Sequence, residues 1–375
     1  MIKALNIVAF DIPYPANYGG AIDVFYRLKA LHEEGIRIIL HCFQYWRNPS
    51  KELEALCDEV HYYKRKTGLL TQFHLLPYTV VGRMHPQLLE NLKSNDYPIL
   101  FEGLVSCGFL NHPDLKNRIK LFRECNIEHD YYNALSDASN ILWKKLFYKL
   151  EAKRLKHFEK VLHHAQHIIA LSHNDEEYFK THYPDTAVDF VPCFHQYNDV
   201  CSRPSSDKNP FILYHGNLML AENEKAASYL CDNVFSKLNC RCVVAGMNPS
   251  RRLRNLISQY RNIELVANPT DIEINQLIQE AHITVLITFQ ATGMKLKLLN
   301  TLFSGKYIVA NDKMLTGSGL ESLCNIANDA EEQIRECQEL LKEDFTEADI
   351  EMRKAVLNPQ YYNKAQAQHL LKIIG

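Results

Sequence analysis

Hydrophobic and polar positions along this chain of 375 residues fall into two kinds of run that take turns. Short, wholly apolar runs rich in β-branched residues predict strands buried on both faces, and runs with apolar positions three and four apart predict helices packed over them. Residues 6–10 form the first such strand and residues 36–43 the second. Between them Val24, Leu28 and Leu31 recur at helical spacing over 21–34, and Gly35 ends the helix. The alternation continues with strands at 60–63, 99–101, 119–122, 167–171 and 188–192, and with helices over 52–59, 142–166 and 175–181. Periodicity lapses over 193–210, where Arg203-Pro-Ser-Ser-Asp-Lys-Asn-Pro210 reads as a linker. A second series follows, with strands at 211–214, 242–245, 263–266, 283–289 and 307–310 and helices over 223–238, 251–260 and 271–281. Pro359 precedes a last amphipathic helix at 361–374.

Two tandem βαβ series predict an α/β protein of two Rossmann-like, doubly wound domains facing across a cleft. The expected boundaries are 1–195 for the first domain, 196–210 for the linker, 211–358 for the second domain, and 359–375 for a helix crossing back to the first.

The stretch 283–311 holds the most chemistry. A buried strand runs into the turn Gln290-Ala-Thr-Gly293, a helix follows with Leu296, Leu299 and Phe303 on one face, and Ser304-Gly305 stops it. Such a turn lies at the carboxyl end of a parallel sheet, where α/β proteins bind ligands. Backbone N–H groups of Thr292, Gly293, Met294 and Lys295 are unsatisfied there and suit an anion. Lys295 and Lys297 occupy the first turns, a placement a helix start disfavours unless an anion is bound; the alternative is that both are solvated. In the first domain Gly19-Gly20 separates strand from helix and admits a ligand close to the backbone, although it is neither a GxGxxG fingerprint nor a P-loop. Glu102 follows the strand 99–101 and is expected to point into the cleft, and His129 sits in the polar and aromatic segment 123–132.

Composition narrows the partners. Lys plus Arg is 42 and Asp plus Glu is 44, so bulk charge argues against nucleic acid. Eleven scattered cysteines point to reduced thiols and a cytoplasmic setting, the amino terminus lacks the features of a signal peptide, and no apolar run approaches the ~20 residues of a membrane span. His163, His164 and His167 straddle a helix end without the spacing of a metal site, so no metal is expected. The segment 143–164 carries Lys144, Lys145, Lys149, Lys153, Arg154, Lys156 and Lys160 among aromatic residues. That pattern fits either a helix resting on anionic lipid at the inner face of a membrane or a solvated face on which Glu151 and Glu159 pair with the lysines.

These pieces resemble the GT-B glycosyltransferases of the large retaining group known as family 4. The resemblance rests on Pro15-Ala-Asn-Tyr-Gly-Gly20, Arg123-Glu-Cys-Asn-Ile-Glu-His-Asp-Tyr-Tyr132, Glu151-Ala-Lys-Arg-Leu-Lys-His-Phe-Glu159, Ile168-Ile-Ala-Leu-Ser172, Tyr214-His-Gly-Asn217 and the segment 292–305. It implies metal-independent transfer from a nucleotide sugar, itself a substrate so that no cofactor is needed, to a saccharide or polyprenol-linked acceptor in surface-polysaccharide assembly. By that likeness Gly19, Gly20, Gly216, Asn217, Thr292, Gly293, Met294, Lys295, Lys297 and Asn300 hold the donor. Lys297 neutralises the diphosphate, and Asn300 stands where similar proteins carry a ribose-binding glutamate. Glu102, His129 and Lys297 are the candidates for the chemistry. Cys125 stands where similar proteins often have histidine. Asn300, with no clear Arg and Lys pair for the diphosphate after Gly216, keeps a non-catalytic sugar-nucleotide-binding or scaffold subunit as an alternative, beside a nucleotide-sugar epimerase.

Overall fold

The computed structural model describes residues 2–68, 71, 74–139, 141–205, 209–289 and 296–375. The described chain divides into two compact units. The first spans Met1–Gln196 together with Asn363–Gly375, and the second runs from Tyr197 to Tyr362.

The first unit is built on a seven-stranded parallel sheet: β1 (Ala4–Ala9), β2 (Arg37–Gln44), β3 (Glu59–Lys64), β4 (Ile99–Glu102), β5 (Lys120–Arg123), β6 (His167–Ala170) and β7 (Ala187–Phe190), in spatial order β3-β2-β1-β4-β5-β6-β7. Strand order reverses between β1 and β4, the point at which doubly wound sheets bind ligands. Both faces are covered, as continuous apolar strands require. Val8, Phe101, Phe122 and Ile168 enter one core layer, and Ile7, Leu100, Leu121 and Ile169 enter the other. The Gly19–Glu33 helix lies on the second layer through Val24, Leu28 and Leu31. So does the Asn363–Ile374 helix, through Ala367, Leu370 and Ile374. Asn363 holds that helix in place by accepting from the His195 N–H at 3.1 Å and donating to the His195 carbonyl at 2.6 Å.

The second unit has a six-stranded parallel sheet: β8 (Phe211–Asn217), β9 (Arg241–Met247), β10 (Ile263–Ala267), β11 (Ile283–Leu286), β12 (Tyr307–Ala310) and β13 (Asn325–Ile326), in the order β10-β9-β8-β11-β12-β13. Its reversal lies between β8 and β11. Gly246 makes the β8–β9 junction possible, since a Cβ there would fall 1.9 Å from the Gly216 carbonyl oxygen and 2.9 Å from Leu218. Gly246→Ala is therefore expected to cost about 2–3 kcal/mol, because backbone must move to admit the methyl, and a thermal melt reading the second unit would check it.

Several expected elements end elsewhere, three of them with consequences for the reading of the chain. The helix at 142–166 stops at Phe158 and tightens into a 3₁₀ turn, Glu159–His164. The Glu347–Tyr361 helix runs through position 359, so the break before the last helix falls at Tyr362 rather than ahead of Pro359. The strand at 283–289 closes at Leu286.

Candidate donor and acceptor sites

In the second unit the Leu296–Ser304 helix begins beside the end of β8, and a chain of polar contacts fixes its first turn. The Thr301 hydroxyl donates to the Lys297 carbonyl at 2.9 Å, so it accepts from His215 Nε2 at 3.0 Å. That assigns the proton to Nε2, and burial, reinforced by Lys297, holds the His215 ring neutral with a pKa near 3. Lys297 Nζ donates to Asn223 Oδ1 at 3.1 Å and lies 5.3 Å from the centre of the Tyr214 ring. Asn223 is bound in turn: its amide donates to the Asn217 carbonyl at 3.0 Å, and its own carbonyl accepts from the Tyr214 hydroxyl at 3.0 Å. Gly216 leaves room for this, because a Cβ there would press on the Asn223 amide at 3.3 Å.

The structure thus brings Gly216, Asn217 and Lys297 to one edge of the second sheet, at the β8–β11 reversal. Asn300 lies one turn further along the same helix and is half-buried. Lys225 reaches the same edge, with its ammonium 4.4 Å from the Phe289 ring centre. Thr292, Gly293, Met294 and Lys295 lie outside the described residues. Asn223 was not singled out from the sequence; its position seven residues after Gly216 gives no signal, and only the folded strand end shows it beneath the lysine.

In the first unit the loop after β1 is held by Arg47. Its guanidinium donates to the carbonyls of Pro15 at 2.6 Å and Ile12 at 3.3 Å, bonds the Asn17 side chain, and lies 4.6 Å from the Tyr18 ring centre. The Tyr18 hydroxyl donates to Asp11 at 3.0 Å. This brace delivers the chain to the Gly19–Glu33 helix, whose start carries no side-chain cap. Gly19 is exposed there. Gly20 packs on Phe10, and a Cβ at that position would meet the ring at 2.6 Å.

Glu102 does not face outward. Leu100 and Glu102 share one face of β4, and that face meets the Gly19–Glu33 helix, so the carboxylate is fully buried and ion-paired with Arg27. Arg27 also reaches Asp23 at 2.8 Å, and Arg123 binds both oxygens of Asp23 at 2.9 and 3.1 Å and the carbonyls of Val191 and Pro192 at 2.9 Å each. The result is a closed quartet of two acids and two bases inside the unit. Burial pushes the Glu102 carboxyl up against the pull of both arginines. Burial pushes Asp23 up too, but Arg123 and Arg27 outweigh it and hold Asp23 down at about 2.

His129 is buried near the start of the Glu128–Ala138 helix. Its Nδ1 lies 3.2 Å from Glu159, whose other oxygen accepts from the hydroxyls of Tyr178 at 2.8 Å and Tyr183 at 3.1 Å, so the imidazole is fixed by a carboxylate. Its neighbour Glu128 is also buried, and burial, against the pull of Arg83, pushes its carboxyl up to about 7. A carboxyl at that value exchanges protons near neutrality, so Glu128 is a candidate proton-handling group beside His129.

Known proteins share both the domain and the architecture. Residues 209–343 match the family model described as glycosyl transferases group 1. An uncharacterised 44.6 kDa protein in the cps region of Klebsiella pneumoniae is 26% identical over 337 residues, with 84% of each chain covered. Among solved structures, TarM superposes with a TM-score of 0.70 at 10% identity, covering 100% of this chain and 99% of its own. Sucrose-phosphate synthase from Thermosynechococcus elongatus gives 0.65 at 15% identity, covering 99% and 96%. A glycosyltransferase from Rickettsia africae gives 0.65 at 12% identity, covering 100% and 98%. The fold is that of the GT-B glycosyltransferases, with two Rossmann-like parallel-sheet domains. With the group 1 domain in its second unit, the chain is supported as a transferase of that kind.

Proposed function

We propose that the protein moves a sugar from a nucleoside diphosphate to a hydroxyl of a saccharide or polyprenol-linked acceptor, with retention and without a metal, at the cytoplasmic face of a membrane where a surface polysaccharide is assembled. The observation that carries this reading is Lys297, fixed at the reversal point of the second sheet inside the stretch that matches a glycosyltransferase domain. As the bond between the anomeric carbon and the β-phosphate oxygen breaks, charge grows on the leaving diphosphate. A preset ammonium and helix-start amides stabilise that charge most in the transition state. The acceptor oxygen attacks from the same face, and its proton passes to the departing phosphate. Gly216, Asn217 and the 292–295 amides are assigned to the donor, Asn300 to its ribose, and Gly19 and Gly20 to the diphosphate or transferred sugar. His129, and Glu128 beside it, are assigned to the acceptor. The cps-region relative supports a polysaccharide context.

A panel of nucleoside diphosphates and their sugars tests the donor site by thermal stabilisation. At about 100 times its dissociation constant the right donor adds roughly 2.7 kcal/mol, and the shift should depend on the base. If no nucleotide moves the melt, the donor assignment fails. Asn300 in place of a glutamate favours one second reading, a subunit that binds a sugar nucleotide without turning it over. Binding with no donor consumed, in the presence of candidate acceptors, would select it.

A further inference from the structure

The Leu142–Phe158 helix turns opposite chemistries outward and inward. Phe147, Glu151, Ala152, Leu155 and Phe158 face the unit, and Glu151, Ala152, Leu155 and Phe158 are buried. Glu151 accepts from the backbone of Tyr78 and Thr79 at 3.1 and 3.0 Å, and from the Thr79 hydroxyl at 3.0 Å. Glu159, just beyond the helix, is committed to His129, Tyr178 and Tyr183. The two acids expected to neutralise the lysines are therefore spent inside. Among the described residues none of Lys144, Lys145, Lys149, Lys153, Lys156 or Lys160 is in an ion pair with them; of the bases on this helix, Arg154 reaches Glu151, at 3.9 Å.

Outward, Leu142, Trp143 and Leu146 are 73%, 67% and 62% exposed, and Leu150 continues the strip. At about 100° per residue these four cover a sector of roughly 100°; Lys145, Lys149 and Lys156 fall in the sector beside it, and Lys153 lies just inside its edge, between Leu142 and Leu146. Large apolar groups bordered by a row of cations on one exposed helix face are what an interfacial helix presents to a membrane. The occupant is decided by charge. A second copy of the chain would bring the same row of lysines against this one, whereas a bilayer bearing anionic headgroups satisfies the lysines and accepts the leucines and the indole together. We infer that this helix docks the first unit on an anionic lipid surface, with Trp143 and Leu146 entering the headgroup boundary and the lysines resting on the phosphates.

The chain has two tryptophans, so Trp46→Phe leaves Trp143 as sole reporter. The full-length protein would be mixed with phosphatidylcholine vesicles with and without a third of phosphatidylglycerol. Expected are co-sedimentation and a blue shift of Trp143 emission on the anionic vesicles alone, both reversed by high salt. Lys149→Glu/Lys153→Glu/Lys156→Glu and, separately, Leu142→Ser/Leu146→Ser should each weaken vesicle binding at least about tenfold, with the melting temperature and any donor-induced shift unchanged because the side chains are exposed. Absence of binding to anionic vesicles at low salt overturns the inference. So does a concentration-dependent dimer that Leu146→Ser dissociates, since the face would then belong to a second copy. The readout needs no turnover, so its failure is distinct from failure of the proposed transfer.

Discussion

Lys297→Ala is expected to lower kcat/KM for sugar transfer by about 10²–10³-fold, the scale on which removal of one preset electrostatic partner of a developing charge is felt. The argument rests on how the ammonium is held. Asn223, itself fastened to Asn217 and Tyr214, gives Lys297 one hydrogen-bonding partner, and the aromatic face of Tyr214 lies at its side. Reorientation during the reaction is therefore small, and the charge costs little to bring to bear. His215 adds to this without competing, because a ring kept neutral down to a pKa near 3 places no second cation against the lysine between pH 5 and 8. Replacing the lysine should spare the fold, since the His215–Thr301 contact that seats the helix uses only the Lys297 carbonyl. The measurement is nucleoside diphosphate release, together with the donor-induced thermal shift. Loss of turnover and of the shift, with an unchanged melt of the free protein, is the expected result; wild-type turnover in the variant would remove Lys297 from the mechanism. Lys297→Arg should rescue only in part, because a planar fork cannot occupy the place of a point charge beside Asn223.

Much of the architecture is written in the apolar periods of the chain. Runs such as Ile7–Ala9 and Cys242–Ala245 are strands because nothing polar interrupts them, and both sheets reverse order where the first and fourth predicted strands of each series meet. Gly216 and Asn217 were singled out by the family likeness and Lys297 also by its place at a helix start; all three arrive at the carboxyl edge of the sheet, as residues that end a parallel strand or open the next helix do whatever their neighbours are. Side-chain partners were another matter. Glu102 reads as a cleft residue because it follows β4, but its direction is set by the two-residue alternation with Leu100 and by Arg27, which lies 75 positions earlier on another element. The same limit applies to Glu151 and Glu159. On the helix pattern alone they lie within reach of lysines three or four away; in the fold, a bare helix start at Tyr78 and a buried imidazole outcompete them. Local spacing finds elements and edges, but it does not reveal long-range competition for a carboxylate.

That competition gives the second large effect. Arg123→Met is expected to destabilise the first unit by about 3–5 kcal/mol, because breaking a buried ion pair leaves an uncompensated charge, whereas deleting every member together can be almost neutral. Arg123 satisfies both oxygens of Asp23 and two backbone carbonyls, so its loss orphans several groups in one step. For a unit of this size the melt should fall on the order of 10 °C. Both tryptophans, Trp46 and Trp143, lie in this unit, so their fluorescence follows its unfolding selectively. The pH dependence carries the sign of the argument. Asp23 is held at about 2 in the fold against its ordinary 3.8, so the unfolded chain binds more protons between those values. Its contribution, about 2 kcal/mol, is complete above pH 4 and is lost as pH falls through 2. Glu102, whose carboxyl is raised, runs the other way: its contribution is complete below its ordinary value and declines as pH rises through the folded one. In Arg123→Met, Asp23 keeps Arg27 and the Phe194 N–H, 2.8 Å away, and the acid limb should move up toward pH 4 and shrink. Denaturant melts of the wild type and the variant at a series of pH values would show it. An acid limb identical in both proteins would mean that Arg123 does not hold Asp23 down, and its low pKa would have to be assigned to Arg27 and the Phe194 N–H.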